Sequence, residues 1–403
     1  MARNIIICSD GTGNTFDAKP SNIHSLLECL ALDNHEAQVV AYDQGIGTNA
    51  RRVDGVMTFR ARVPDKNALI VLPPPRRMWF SPTGFTTRFF GLTAGYGLKA
   101  NVAEIYDVLA RLYETTADRV FLFGFSRGAF TVRALAGLVH RCGLPRQDVP
   151  DVEQCFEEAW QLYQPMQENA KEVARFRSRP GHRGCEIHFL GIWDTVKSYG
   201  GMIPTLLPHL RHNPQVAVVR HALALDERRS WFNATTWGFL DIDTHGAVTR
   251  LKPEERPAFE RQSIEEIWFR GCHSDVGCGR IAFRWMLTEA VAAGLDANDA
   301  GMQAIESADP LPTIEESDRW WWRGIEQIPR LEIDNSGKWP RRQAARGRTG
   351  VRHPDELRRH GAVSVHVSVG TDPAIPAPVR VVPTKTAAEV RRARSAAPPS
   401  AHR

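Results

Sequence analysis

The feature that most restricts the fold is a five-residue turn, Gly124-Phe125-Ser126-Arg127-Gly128, set between an apolar run and an amphipathic stretch. Val120-Phe-Leu-Phe123 before it reads as a buried strand. After it, Val132, Leu135, Ala136 and Val139 recur at helical spacing. The helix stops at Gly143, with Pro145 just beyond. G-x-S-x-G between a strand and a helix is a sharp turn that lifts a serine hydroxyl above the end of a sheet. Its glycines are needed because a Cβ at either place would strike the adjoining strand or helix.

The same alternation of strand and helix runs through roughly the first 290 residues and predicts a parallel sheet with crossover helices. Ile5–Cys8, Gln38–Tyr42, Glu186–Trp193 and Ile264–Phe269 read as further strands. Ile23, Leu26, Leu27 and Leu30 share one helical face, as do Val102, Ile105, Tyr106, Leu109, Leu112 and Tyr113. Residues 149–180 read as charged helix. Residues 49–95 are irregular and proline-bearing, and a stretch of that length reads as an insertion or lid. The expected division is one α/β catalytic unit over residues 1–369, followed by a basic, disordered tail over 370–403.

Charge divides the chain in the same way. The net charge of +5 is the sum of two unlike parts. Residues 338–403 hold 14 Lys+Arg against 4 Asp+Glu, which leaves 37 against 42 in residues 1–337. The body is therefore mildly acidic, and the basic excess lies beyond the motifs that carry chemistry. No run of 18 apolar residues occurs, which argues against a membrane-spanning helix. Ile5-Ile6-Ile7-Cys8 is too short for a signal-peptide core. A cytoplasmic chain, or one exported by a signal-independent secretion system, is the expectation. Seven scattered cysteines read as free thiols. Cys272, His273 and Cys278 match no common zinc spacing, so no metal or cofactor is expected.

A serine becomes a nucleophile only beside a base, and the base needs an orienting carboxylate. α/β-Hydrolases place these in the order Ser, Asp or Glu, His, each after a strand. Asp194 follows the strand ending at Trp193, and His273 follows the one ending at Phe269. Asp241, Asp243 and Asp275 are rivals for the acid. His140, His209, His212, His221 and His245 read as helical or loop residues without a strand-end setting. The backbone N–H of Arg127 is the first oxyanion donor by position. A second comes from the glycine-bearing turn after the first strand, where Asp10, Gly11 and Thr12 are the candidate residues. That turn lacks the GxxxxGK[ST] pattern of a phosphate loop.

Several ordered segments together resemble a known family. They are Cys8-Ser-Asp-Gly-Thr-Gly-Asn14, Ser21-Asn22-Ile23, Tyr42-Asp-Gln-Gly-Ile-Gly-Thr48, Gly124–Thr131, Gly191-Ile-Trp-Asp-Thr-Val196 and Gly271-Cys-His-Ser-Asp-Val-Gly277. Leu223-Ala-Leu-Asp-Glu-Arg228 and Val365-His-Val-Ser368 extend the likeness, which spans roughly residues 4 to 369. The family is the catalytic domain of type VI secretion lipase effectors, α/β-hydrolases of bacteria and fungi. The resemblance implies Ser126 as nucleophile, Asp194 as acid, His273 as base and an ester or phospholipid as substrate. Cys278 departs from the family's glycine run. For a lipid substrate, Trp79, Phe80, Phe85, Phe89 and Phe90, and Trp320-Trp321-Trp322 between Arg319 and Arg323, suit peripheral contact with a membrane. A second reading is a catalytically inactive hydrolase fold whose basic tail binds polyanions. No nucleic-acid signature accompanies that tail.

Overall fold

A computed structural model describes residues 3–11, 20–43, 69–72, 96–163, 170–196, 207, 209–210, 213–229, 232, 234–237, 261–308, 330–332, 341–343, 363–369 and 379–396. Nine strands form one sheet: β1 Asn4–Ser9, β2 Gln38–Asp43, β3 Leu69–Val71, β4 Arg119–Phe125, β5 Ile187–Trp193, β6 Val216–Ala224, β7 Ser263–Phe269, β8 Val363–His366 and β9 Val379–Val382. Their order is β9-β8-β7-β6-β5-β4-β1-β2-β3, and each pairing is parallel. The architecture is a parallel α/β sheet of the hydrolase type.

The sequence of β1 shows why the strand lies at the centre. All six of its residues are buried, as a continuous apolar run requires when helices cover both faces. Alternation along the strand sends Ile5 and Ile7 to one side, Ile6 and Cys8 to the other. Ile5 and Ile7 meet Val102, Ile105 and Leu109 of α2 (Tyr96–Leu112) and Leu135 and Val139 of α3 (Arg127–Cys142). α4 (Val152–Tyr163) packs on α2 and α3 in the same layer. Ile6 and Cys8 share the opposite core with four further helices. These are α1 (Asn22–Cys29), α5 (Arg280–Ala292), α6 (Asp299–Glu306) and α7 (Ala387–Ala396).

Strand order places the site. From β1 the chain adds β2 and β3 on one side, then crosses to the other side and adds β4. The crevice at the carboxyl ends of β1 and β4 is thus the switch point, where connections diverge. Ser126 follows β4 and Asp10 follows β1.

β6 departs from the sequence expectation. His221 lies on this strand, not on a helix or loop, and Arg220 beside it is also buried. Each has a carboxylate partner. Arg220 Nε donates to Glu289 Oε2 of α5 at 2.6 Å, and Lys385 Nζ lies 2.6 Å from Glu289 Oε1. His221 Nδ1 lies 2.8 Å from Glu266 Oε1 of β7.

Two further corrections concern segments read from composition. Within 49–95, Leu69–Val71 is a strand that pairs with β2. The aromatic residues 79–90 and 320–322 and the rival acids Asp241 and Asp243 lie outside the described residues. Within 370–403, residues 379–382 and 387–396 are β9 and α7, where disorder was expected. Net charge had hidden a small apolar stripe: Val382 and Val390 are buried in the second core. Arg391 pairs with Glu306 at 2.9 Å, and Arg394 pairs with Asp296. Among the described residues no helix is long and apolar enough to cross a membrane.

Candidate active site

Ser126 sits between β4 and α3 with φ 57° and ψ −116°. A non-glycine residue adopts such a backbone only when its surroundings impose it. Here both glycines of the turn are fixed by contact. A Cβ on Gly124 would lie 2.5 Å from Ala129 Cα, and one on Gly128 would lie 2.0 Å from Ser9 O. The elbow is thereby clamped between its own helix and β1. The Ser126 N–H donates to Trp193 O at 3.0 Å, which ties the turn to β5.

From that position Ser126 Oγ lies 2.8 Å from His273 Nε2. His273 Nδ1 lies 2.6 Å from Asp194 Oδ2. A carboxylate can only accept, so the imidazole proton sits on Nδ1 and Nε2 faces the serine hydroxyl as an acceptor. All three side chains are buried, which strengthens their interactions by excluding water. The structure therefore brings together the three residues that strand-end reasoning selected.

Asp194 is held on every side. It has φ 40°, its N–H donates to Ala222 O at 2.8 Å, and its Oδ1 accepts from Ala224 N–H at 3.0 Å. The next amide, Thr195 N–H, donates to His221 Nε2 at 3.3 Å. With Nε2 accepting and Nδ1 facing Glu266, His221 is neutral. Burial pushes its pKa down against the opposing pull of Glu266. The rival Asp275 is committed elsewhere: its Oδ2 accepts from Cys272 N–H at 2.9 Å, capping the short helix His273–Gly277.

The His273 ring lies between two aromatic rings. Phe125 stacks on it at 4.8 Å between centroids, and Phe232 meets it edge-on at 4.8 Å. Phe125 itself is confined, since a Cβ on Gly277 would lie 1.9 Å from its ring. Glu227, given no role in the sequence expectations, is fully buried, and its Oε2 accepts from His273 N–H at 3.0 Å. Two signals pointed toward it: the Leu223–Arg228 segment of the family likeness, and the charged run Asp226-Glu227-Arg228-Arg229 after β6.

Among the candidate oxyanion residues, Arg127 opens α3, so its amide belongs to the positive end of a helix. Gly11 lies against the serine: a Cβ there would be 3.4 Å from Ser126 Cβ. Its N–H donates to Asp10 Oδ1 at 2.7 Å. Asp10 is buried, and its Oδ2 also accepts from Ser21 Oγ at 2.6 Å and Tyr42 OH at 3.3 Å. It braces the turn. Thr12 lies outside the described residues.

A parallel sheet with Ser, Asp and His at the ends of β4, β5 and β7, in that chain order, defines an α/β-hydrolase-like protein. The profile of the family described as "T6SS, Phospholipase effector Tle1-like, catalytic domain" matches residues 3–289, and the chain belongs to that family. A curated relative, the uncharacterized protein YEL023C of Saccharomyces cerevisiae, is 30% identical over 243 residues. Those residues are 57% of this chain and 32% of the relative, so the chain spans about a third of that protein's length. Two solved structures are similar at 16% identity. One is an uncharacterized protein from Pseudomonas aeruginosa (TM-score 0.37; 74% of this chain and 46% of that one). The other is the Tle1 effector bound to the VgrG spike of the type 6 secretion system (TM-score 0.29; 68% and 51%).

Proposed function

We propose that this chain is a serine hydrolase that cleaves carboxylic esters of phospholipids, with Ser126 as nucleophile, His273 as base and Asp194 as acid. The observation that carries this reading is the continuous bonded line from Ser126 Oγ through His273 to Asp194. The substrate class follows from the phospholipase family to which the chain belongs.

His273 Nε2 takes the hydroxyl proton as Ser126 Oγ attacks the ester carbonyl. Asp194 steadies the imidazolium that forms. The Arg127 N–H, with an amide of the turn around Gly11, donates to the carbonyl oxygen as negative charge develops on it. Engagement of the Gly11 amide requires its release from Asp10. The intermediate collapses, His273 returns the proton to the departing alcohol, and an acyl-serine remains. Water, deprotonated by the same nitrogen, then releases the fatty acid and restores Ser126.

The test is Ser126→Ala, assayed against short-chain esters and phospholipid vesicles and with a fluorophosphonate probe. The variant is expected to lose labelling and ester turnover together, a fall of at least about 10⁴-fold in kcat. Turnover that persists in the folded variant refutes the assignment.

A further inference from the structure

We propose that Glu227 is a positioning residue for His273, acting with Arg229 and Phe232 to hold the imidazole in line with Ser126. The inference rests on the serine-hydrolase reading above. β6 lies between β5, which ends at Asp194, and β7, which leads to His273. Three adjacent strands thus deliver two carboxylates and an imidazole to one place. Asp194 accepts from the ring Nδ1–H, and Glu227 accepts from the main-chain N–H of the same histidine.

The bonding of Glu227 is complete and closes on His273 from two directions. Its Oε1 accepts from Arg229 N–H at 2.8 Å and Arg229 Nε at 2.9 Å. Its Oε2 accepts from Arg229 Nη2 at 2.8 Å and from His273 N–H at 3.0 Å. The same guanidinium lies 3.8 Å from the centroid of Phe232, the ring that meets His273 edge-on. One arginine therefore fixes both the carboxylate behind the histidine backbone and the ring beside its imidazole.

Glu227 satisfies the first amide of the short helix His273–Gly277, but that task by itself does not require a carboxylate. Asp275 and Cys272 already cap His273–Gly277, and Asp226 Oδ2 already braces the approach by accepting from Gly271 N–H at 2.6 Å. Glu227 adds a buried anion where a neutral acceptor would satisfy the amide. Burial pushes its pKa up, but the bonds and charge of Arg229 and the nearness of His273 outweigh this, so it is held below the ordinary carboxylate value. A standing negative charge next to His273 favours the imidazolium formed during catalysis.

Glu227→Gln tests this, because an amide has a single accepting oxygen and must turn its NH2 toward one pair of donors. The expected result is a kcat lower by about 10²-fold on a soluble short-chain ester, with KM within twofold, as for a catalytic group displaced by a fraction of an ångström. The far-downfield proton resonance of His273 Nδ1–H should shift or broaden, and fluorophosphonate labelling of Ser126 should slow in step. A kcat within twofold of the parent, or a raised KM at unchanged kcat, overturns the proposal. If Glu227→Gln fails to fold, Phe232→Leu decides: kcat lower by about tenfold supports the clamp, and kcat within twofold overturns it. Persistent turnover in Ser126→Ala would instead sink the hydrolase reading, so the two failures are distinguishable.

Discussion

Ser126, His273 and Asp194 have a counterpart elsewhere in the same molecule. Ser21, His24 and Asp10 are also a buried serine, histidine and aspartate within bonding distance. Their connections differ. Ser21 Oγ donates directly to Asp10 at 2.6 Å and accepts from His24 N–H at 3.3 Å, capping α1 from an ordinary extended backbone with φ −72°. His24 Nε2 faces the Tyr42 hydroxyl at 2.8 Å, and burial pushes the pKa of this histidine down. The hydroxyl proton of Ser21 is thus given directly to a carboxylate, and His24 Nδ1, 3.2 Å from Ser21 Oγ, does not stand between the two. In the other set the imidazole stands between serine and carboxylate, and the serine is held at φ 57°. Residue types alone do not make a nucleophile; the order of bonding and the strained turn do.

The comparison is most sharply broken at Asp194. Asp194→Asn should lower kcat by about 10⁴-fold while circular dichroism stays native, because the amide no longer fixes the Nδ1–H tautomer. Ester kinetics would check it, and a loss below tenfold would mean that another carboxylate serves His273. At the second constellation the effect should appear in stability. Ser21→Ala removes an N-cap and a bond to a buried carboxylate, so urea unfolding should show a loss of about 1–2 kcal/mol with kcat within a few-fold. A collapse of activity in that folded variant would erase the distinction drawn above.

The smallest effect concerns how charge is managed near Asp43. Burial, and then the charge of Asp43, push the Glu104 carboxyl up to about 8 from 4.5. Between those values the folded chain binds a proton that the unfolded chain has released. Its stabilisation is complete below 4.5 and is lost as pH rises through about 8. Glu104→Gln should therefore narrow the fall in thermal stability between pH 5 and pH 9. An unchanged fall by calorimetry would assign the pH dependence to other groups.

How far the sequence could be read depended on how local the cause was. β1, β2, β4 and β5 are legible because each is largely an apolar run, and β7 because Ile264, Ile267, Trp268 and Phe269 flank its two glutamates ahead of a glycine turn. The elbow is legible because its glycines are required by contacts with Ala129 and Ser9. Asp194 and His273 were found by their strand ends, and the structure sets them 2.6 Å apart. β6 escaped notice because Arg220 and His221 interrupt its apolar run, and what makes them tolerable, Glu289 and Glu266, lies far along the chain. The role of Glu227 was hidden for the same reason. A charged quartet after a strand looks like solvent-facing loop until Arg229 and the His273 amide are seen around it.

The Glu289 site carries a consequence for synthesis. This buried carboxylate bonds Arg220 of β6 and also Lys385, which emerges from the ribosome after the strands that bear Asp194 and His273. A nascent chain can gather β4 to β7 before its second cation for Glu289 has been made. Folding of this half of the sheet is then completed in two stages, with one oxygen of a buried carboxylate waiting for its cation in the interval. The basic segment, first visible as an excess on the charge ledger, supplies the ion that closes that interval.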